Sequence, residues 1–505
     1  MTDKESEEKK PAGEEKQALP VQKPAVEENK PTPEDKQAQP QQRAPEAEKK
    51  PAVEERPAAQ QKTAVEEKKQ PVEEKRKRYK FLIVSKEASG SDIAYHLKKE
   101  GNSVKLFIQD AAERDVLDGV VDKVDDWESE KGWADAIIFD FTGYGFRQNE
   151  LRQQGFKVIG GSYLGDQLEL DRKFALQYFQ KMNVKIPETY EFNSFLSAKR
   201  FLKDQGKRFI IKFLGTAGDE KNLVYKSQVD DNSDLAMLLD HYGKKWNTAW
   251  GEPRFVLQEV IVGVEVAVTA FFNGERFIMP VYINFENKRM LTGDLGVFTG
   301  EMGTHGFFTF DKLKLFNNTL KKIEEDLRKD GYVGTIDVNC IVNREGIWPL
   351  EFTSRFGYPL ISLLFEGLNG HTRVTDMIMG LIEKSTDFIE ADQGYQIGIA
   401  VCVPTFPYPE GYERYGKDLP VLIMNEASLE KFHTGDLKFD NGSWVTAGSW
   451  GYGFVVTGRG DTMFDAKTNA YNALKNIIVP NAIYRIDISD RWLTDYPKLH
   501  RLGYV

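Results

Sequence analysis

Cysteine is almost missing from this chain of 505 residues. The two present, Cys340 and Cys402, lie in apolar strand-like runs, DVNCIV and GIAVCV. That excludes a disulfide framework and a cysteine-based zinc site. No apolar stretch reaches the roughly 18 residues of a membrane span, and MTDKESEEKK at the N-terminus is too charged for a signal peptide, so a soluble, cytoplasmic protein with no membrane partner is expected. Aromatic residues are absent from Met1 to Arg78, which hold one glycine, ten of the 21 prolines, and 18 basic against 18 acidic side chains. Such a stretch cannot offset about 1–2 kcal/mol of backbone entropy per ordered residue, and it is expected to be a disordered tail. Its repeated units, KPAVEE at Lys23 and Lys50 and KTAVEE at Lys62, have no fixed period and read as a low-complexity spacer whose partner the sequence does not name. All of the net charge of −10 falls on the remaining residues, against a sequence-blind nucleic-acid binder.

From Tyr79 the pattern changes. YKFLIVS, SGSDIAYHLKKEG and SVKLFI read as strand, helix and strand, DAIIFDF as a third strand and FKVIGG as a fourth. Residues 79–165 are therefore expected to form a small α/β domain with a parallel sheet. DRKFALQYFQKMNV, Asp171 to Val184, is an amphipathic helix stopped before Pro187. Beyond it, alternating strands and Gly-rich loops suit antiparallel sheets to Asn343. Residues 166–390 are taken as one domain with a lid at about 187–257. Residues 391–505 are taken as a C-terminal α+β domain containing a hairpin at GSWGYGFVVTG. The expected class is α/β plus α+β.

Three segments carry chemistry. FIIKFLGTAGDEKNLV ends a strand with Lys212 and follows a glycine-containing turn with Lys221; backbone N–H groups and two ammonium groups there can cover a triphosphate. Taken alone, it is more often an exposed turn with solvating lysines. FVLQEVIVGVEVAV puts Glu259, Ile261 and Glu265 at a strand crossover able to meet an adenine edge and ribose hydroxyls, and a Glu in so apolar a run is costly unless paired or bound. GTIDVNCIVNREGIWPLEFTSRFGYP brings Asp337 and Asn339 beside Glu351, Thr353 and Arg355 on one sheet face. Oxygen ligands beside a fixed cation suit Mg²⁺–triphosphate chemistry, although a salt-bridged polar face would read the same way.

The order Arg172, Lys212, Lys221, QEVIVGVEV, LEFTSRFG resembles the ATP-grasp ligases. Within them it is most similar to glycinamide ribonucleotide synthetase (phosphoribosylamine–glycine ligase), with its EEFLxGEE, KRxxDGDxGPNTGGMG and LEFNxRFGDPE patterns. The second of these stands here as KRMLTGDLGVFTGEMG, Lys288 to Gly303. The resemblance implies an ATP-grasp core with a lid, and ATP with Mg²⁺ (or Mn²⁺) as cofactors. It implies that Arg172 and Lys212 hold phosphates, that Lys221 lies on the mobile lid, that Glu259 and Ile261 meet adenine, and that Glu265 meets ribose. Glu351 would bind the metal and Arg355 would steady the transition state. Lys288, Arg289, Asp294, Thr299 and Gly300 would face substrate. In such enzymes a carboxylate attacks the γ-phosphate of ATP and an amine captures the acyl phosphate.

The departures lie mainly on the acceptor side. The family's GxGGREHA loop is SKEASGSD, Ser85 to Asp92, with Gly90 alone for close approach, and its GPE-type loop is DFTGYGF. GPNTGG has become GVFTGE, with Val297, Phe298 and Glu301. The family's metal-side Asn is Thr353, and Asp337 or Asn339 is expected to supply the missing ligand. The leading expectation is an ATP-dependent ligase joining glycine or another small amino acid to an amine, with a modified nucleotide, a base or even a nucleic acid as candidate acceptor. The alternatives are the phosphoribosylamine–glycine ligase step itself, and an ATP-binding protein without ligase activity whose tail mediates interactions.

Overall fold

A computed structural model describes residues 76–214, 223–311, 314–403 and 416–505. The expected tail lies outside them save for its last three residues, as do Lys221 and the glycine-rich turn before it.

The first layer is a five-stranded parallel sheet in the order β3-β2-β1-β4-β5: β1 Lys80–Ser85, β2 Ser103–Ile108, β3 Asp122–Lys123, β4 Ala136–Phe139 and β5 Val158–Ile159. Burial on both faces explains the unbroken apolar runs FLIV and AIIF. β1 pairs with β2 on one side and β4 on the other, so the strand order reverses beside β1. The crevice at the carboxyl ends of β1 and β4 is where such sheets place ligands.

The strands within the expected lid, called the lid sheet below, pair as β6-β9-β7-β8, from β6 Thr189–Phe192, β7 Phe209–Phe213, β8 Tyr225–Lys226 and β9 Phe255–Glu259. Helices Phe195–Leu202 and Ser233–Lys245 cover it through an aromatic-rich core around Phe195, Phe209 and Phe255.

The largest sheet has eight strands, β16-β15-β10-β11-β14-β17-β22-β19. Its members are β10 Val264–Asn273, β11 Phe277–Glu286, β14 Gly303–Thr309, β15 Val333–Asn343, β16 Gly346–Thr353, β17 Tyr395–Cys402, β19 Phe432–Thr434 and β22 Tyr452–Gly460. A separate hairpin, β12 Arg289–Leu291 and β13 Leu295–Phe298, projects between β11 and β14. Strand alternation sorts its residues: Val266, Val268, Ala270 and Phe272 of β10 enter the core with Ile336, Val338 and Cys340 of β15. Their neighbours Glu265, Thr269, Asp337 and Asn339 are left on the opposite face.

The C-terminal segment departs from the expectation of a self-contained domain. β17, β19 and β22 extend the eight-stranded sheet, while β18 Pro420–Ile423, β20 Leu437–Asp440, β21 Ser443–Thr446 and β23 Ile477–Ile478 form a small sheet, β20-β21-β18-β23. GSWGYGFVVTG is not a hairpin: it links β21 to β22, which lie in different sheets. Turn chemistry marked a change of direction, but not which strand the chain would pair with next.

Candidate functional site

The polar face of the eight-stranded sheet is one connected network. The Asn339 amide donates to Glu265 Oε1 at 3.1 Å and to Glu286 Oε2 at 2.9 Å. Lys288 Nζ then bridges Glu286 at 3.0 Å and Glu351 at 2.6 Å. Register explains the meeting: Asn339 lies opposite Glu351, and Asp337 opposite Thr353, across β15 and β16. Asp337 Oδ2 accepts from Thr269 Oγ1 at 2.5 Å and Asn284 Nδ2 at 3.2 Å.

Above this face stand two cations. Lys212, on β7 of the lid sheet, donates to Gln258 Oε1 at 2.9 Å. Burial, with the Arg172 guanidinium nearby, pushes its ammonium down to about 7. Arg172 opens helix Arg172–Lys181, whose N-cap Asp171 accepts from Phe174 N, and Arg172 Nη1 is buried without a hydrogen-bond partner. A half-buried lysine held partly neutral and an unsatisfied guanidinium together await an anion.

The carboxylates show the opposite imbalance. Burial, reinforced by Glu286, pushes Asp337 up to about 7. Burial raises Glu286 as well, and it raises Glu301 well above the carboxylate range. The Lys288 ammonium holds Glu351 far below that range. Burial pulls Lys288 down, but Glu286, Glu351 and Glu265 outweigh it and hold it well above its ordinary value. Asp337 Oδ1 and Asn339 Oδ1 are buried and without hydrogen-bond partners. Hard oxygen donors in excess, two of them orphaned, fit a small divalent cation such as Mg²⁺. Asp337, Asn339, Glu286 and Glu351 are the residues able to hold it. Thr353 faces Asp337 in register, at the margin of this set.

Glu286 was missed as a ligand candidate. Glu286 closes the apolar run FIMPVYINFE, and the cost of an unpaired Glu in such a run, already noted for Glu265, was the available signal.

The remaining site residues fall in three places. Glu259 lies at the end of β9, its N–H bonded to Glu188 O and its carboxylate 3.3 Å from Lys207, and buried Ile261 follows in the crossover to β10. Gly263 permits that crossover, because a Cβ there would sit 2.5 Å from Val342 O. In the hairpin, Arg289 stacks 3.6 Å from the Phe298 ring centroid and donates to Gly296 O. Asp294 accepts from buried Arg485, so its carboxylate ties the hairpin to the C-terminal segment. Thr299 closes the hairpin base on Lys288 O, and Gly300 N donates to the Tyr452 hydroxyl.

The third place is the crevice of the parallel sheet. Arg355 leans on Glu169 at 3.0 Å, which also accepts from Ser354 N, and the guanidinium senses Asp140 and Glu87. Asp140, fully buried just beyond β4, accepts from Ser85 Oγ at 2.6 Å and from Gly90 N at 2.5 Å. A Cβ at Gly90 would lie 2.7 Å from Asp140 Oδ2, so only glycine fits. Burial pushes this carboxyl up to about 6. The crevice thus already contains an anion supplied by the chain.

Residues 170–360 match the phosphoribosylglycinamide synthetase ATP-grasp (A) domain. The phosphoribosylamine–glycine ligase of Streptococcus pneumoniae is 27% identical over 354 residues, covering 68% of this chain and 80% of that protein. That of Neisseria meningitidis is 25% identical over 351 residues, with the same coverage. In fold, the phosphoribosylamine–glycine ligase of Thermotoga maritima superposes with a TM-score of 0.61 at 18% identity, covering 81% of this chain and 100% of its own. Biotin carboxylase of Campylobacter jejuni gives 0.52 at 14% identity, covering 84% and 97%. Residues 170–360 thus match an ATP-grasp domain, within a chain that resembles the phosphoribosylamine–glycine ligases.

Proposed function

We propose that this ATP-grasp ligase joins a small carboxylate, of which glycine is the simplest, to a small-molecule amine that carries no phosphate at the crevice of the parallel sheet. The observation that supports it is the pairing of two cations, Arg172 with an unpartnered Nη1 and Lys212 with its ammonium pushed down by burial, with an oxygen-rich face of Glu286, Asp337, Asn339 and Glu351. Triphosphate neutralises the first set. Glu286, Asp337, Asn339 and Glu351 would hold a divalent cation, which would supply positive charge beside the transferring phosphoryl group. Lys212 and Arg172 hold the phosphates, Glu265 takes the ribose hydroxyls, and the lid segment with Glu259 and Ile261 lies along the base. The substrate carboxylate attacks the γ-phosphorus, ADP leaves, and Arg355, fixed by Glu169, stabilises charge on the acyl phosphate. The amine then attacks the acyl carbon, phosphate departs, and a C–N bond remains. The hairpin, through Lys288, Arg289, Thr299 and Gly300, walls the carboxylate side. Among them, Asp294 acts through the Arg485 tie.

Asp140 supports the restriction on the acceptor. It holds the one glycine N–H available for close approach, and a phosphate brought there would meet a carboxylate at a cost of about 1 kcal/mol at 4 Å in water, several times that when partly buried. The similarity to phosphoribosylamine–glycine ligases favours the second reading, in which phosphoribosylamine is the acceptor. ADP release measured with glycine, ATP and either freshly generated phosphoribosylamine or a panel of phosphate-free amines separates them. Turnover with a phosphate-free amine and little with phosphoribosylamine is expected; the reverse selects the second reading.

A further inference from the structure

Away from the nucleotide face, helix Ser91–Lys99 presents Asp92 and His96, one turn apart, to His433 of β19. Asp92 Oδ2 lies 2.9 Å from His433 Nδ1, His96 Nε2 lies 3.2 Å from the same nitrogen, and Asp92 Oδ1 lies 3.3 Å from His96 Nε2. Asp92 and His433 are 3% and 2% exposed. Donors held tetrahedrally at about 2.0–2.1 Å from one ion stand about 3.3 Å apart, so the cluster already has the size of a zinc coordination triangle.

The proton arrangement points the same way. Lys431 Nζ lies 2.6 Å from Glu366 Oε1, and Glu366 Oε2 accepts the Thr457 hydroxyl at 2.9 Å. With its proton given to Glu366, Thr457 Oγ1 accepts from His433 Nε2 at 3.0 Å. With the proton on Nε2, His433 turns the Nδ1 lone pair toward the Asp92 carboxylate, which is itself an acceptor. Ser362 Oγ satisfies Asp92 Oδ2, but Asp92 Oδ1 is buried with no hydrogen-bond partner. Two lone pairs facing each other in a dry site call for a cation between them. The carboxylate–threonine–imidazole relay is the arrangement that fixes a metal-binding tautomer.

We propose that Asp92, His96 and His433 form a site for a divalent transition-metal ion of the Zn²⁺ class. The ion clamps the helix after β1 to the C-terminal strand β19. Imidazole donors select Zn²⁺ or Co²⁺ over Mg²⁺, so this site is chemically separate from the all-oxygen set of the nucleotide face.

The test uses the tag-free full-length protein, stripped with chelator and dialysed. Titration with Co²⁺ is expected to give visible d–d absorption of low-coordinate cobalt that saturates at one equivalent. Zn²⁺ is expected to abolish it, and excess Mg²⁺ to leave it unchanged. His96→Gln, at the partly exposed edge of the cluster, is expected to lower Zn²⁺ affinity by about tenfold or more while circular dichroism in chelator stays that of the wild type. Wild-type protein that is folded yet binds no Co²⁺ or Zn²⁺ at micromolar free metal would overturn the proposal and leave a protonated imidazole in the ion's place. Equal Zn²⁺ affinity in His96→Gln would overturn it as well.

Discussion

Lys212 and Asp337 carry the opposite imbalances of the site, and their titrations make separate predictions. Lys212 is held down to about 7, so at pH 8 it is mostly neutral in the free protein and becomes charged when a polyphosphate arrives. ATP binding at pH 8 without metal is therefore expected to take up a proton, read by calorimetry in buffers of different ionisation enthalpy. Lys212→Ala is expected to abolish that uptake and weaken ATP by at least about tenfold, for a charge-assisted contact worth about 1.5–3 kcal/mol. Asp337 is held up to about 7 and must lose its proton to bind a cation. Apparent Mg²⁺ affinity should then rise with pH through about 7, and Asp337→Ala should raise the Mg²⁺ requirement while Thr353→Asn spares it. Wild-type metal dependence in Asp337→Ala would remove Asp337 from the set. For Asp140, pushed up to about 6, the folded state binds the extra proton between the unfolded value near 4 and about 6, so stability falls as pH rises through that window. Asp140→Asn removes the loss, and its melting temperature is expected to exceed that of the wild type at pH 8 but not at pH 4.5.

At the scale of elements, the hairpin of β12 and β13 depends on a residue far along the chain. Arg485 is 2% exposed, pairs with Asp487 and Asp294 at 2.7 Å, and donates to Arg289 O. Arg485→Ala removes both ion pairs, leaving half-buried Asp487 with Gly293 N as donor and the buried space of the guanidinium unfilled. The melting temperature should drop and amides of 289–298 should lose hydrogen-exchange protection; unchanged protection would mean that the hairpin holds itself. The sequence made strands and their faces legible where period two was clear, as at Asp337, Asn339 and Glu351. It did not show that Asp294 is tied to Arg485, or that Asp140 reaches Gly90, because the partners lie 191 and 50 residues apart. Long-range partners leave no local periodicity. The two-residue β3 carried too little pattern to be seen, whereas β5 showed as the run FKVIGG.

For the molecule as a whole, one sheet runs from β16 and β15 to β19 of the C-terminal segment, so the ATP-grasp core and that segment share backbone hydrogen bonds. The expected domain boundary near 391 falls inside this sheet. Composition sets residues 1–78 apart because absence of aromatics is a local property, whereas sheet membership is not. Among the described residues, no helix is long and apolar enough to cross a membrane. Removal of residues 1–75 is expected to leave melting temperature and ATP turnover near those of the full chain, and a large loss in either would show that the tail packs on the body. The central claim is transfer of the γ-phosphoryl group to a carboxylate. Once a carboxylate and amine pair that drives ADP release is found, the carboxylate is supplied with ¹⁸O in both oxygens and the released phosphate is analysed by mass spectrometry. One ¹⁸O per phosphate is the expected result; phosphate without label, or AMP and pyrophosphate in place of ADP, would contradict the account.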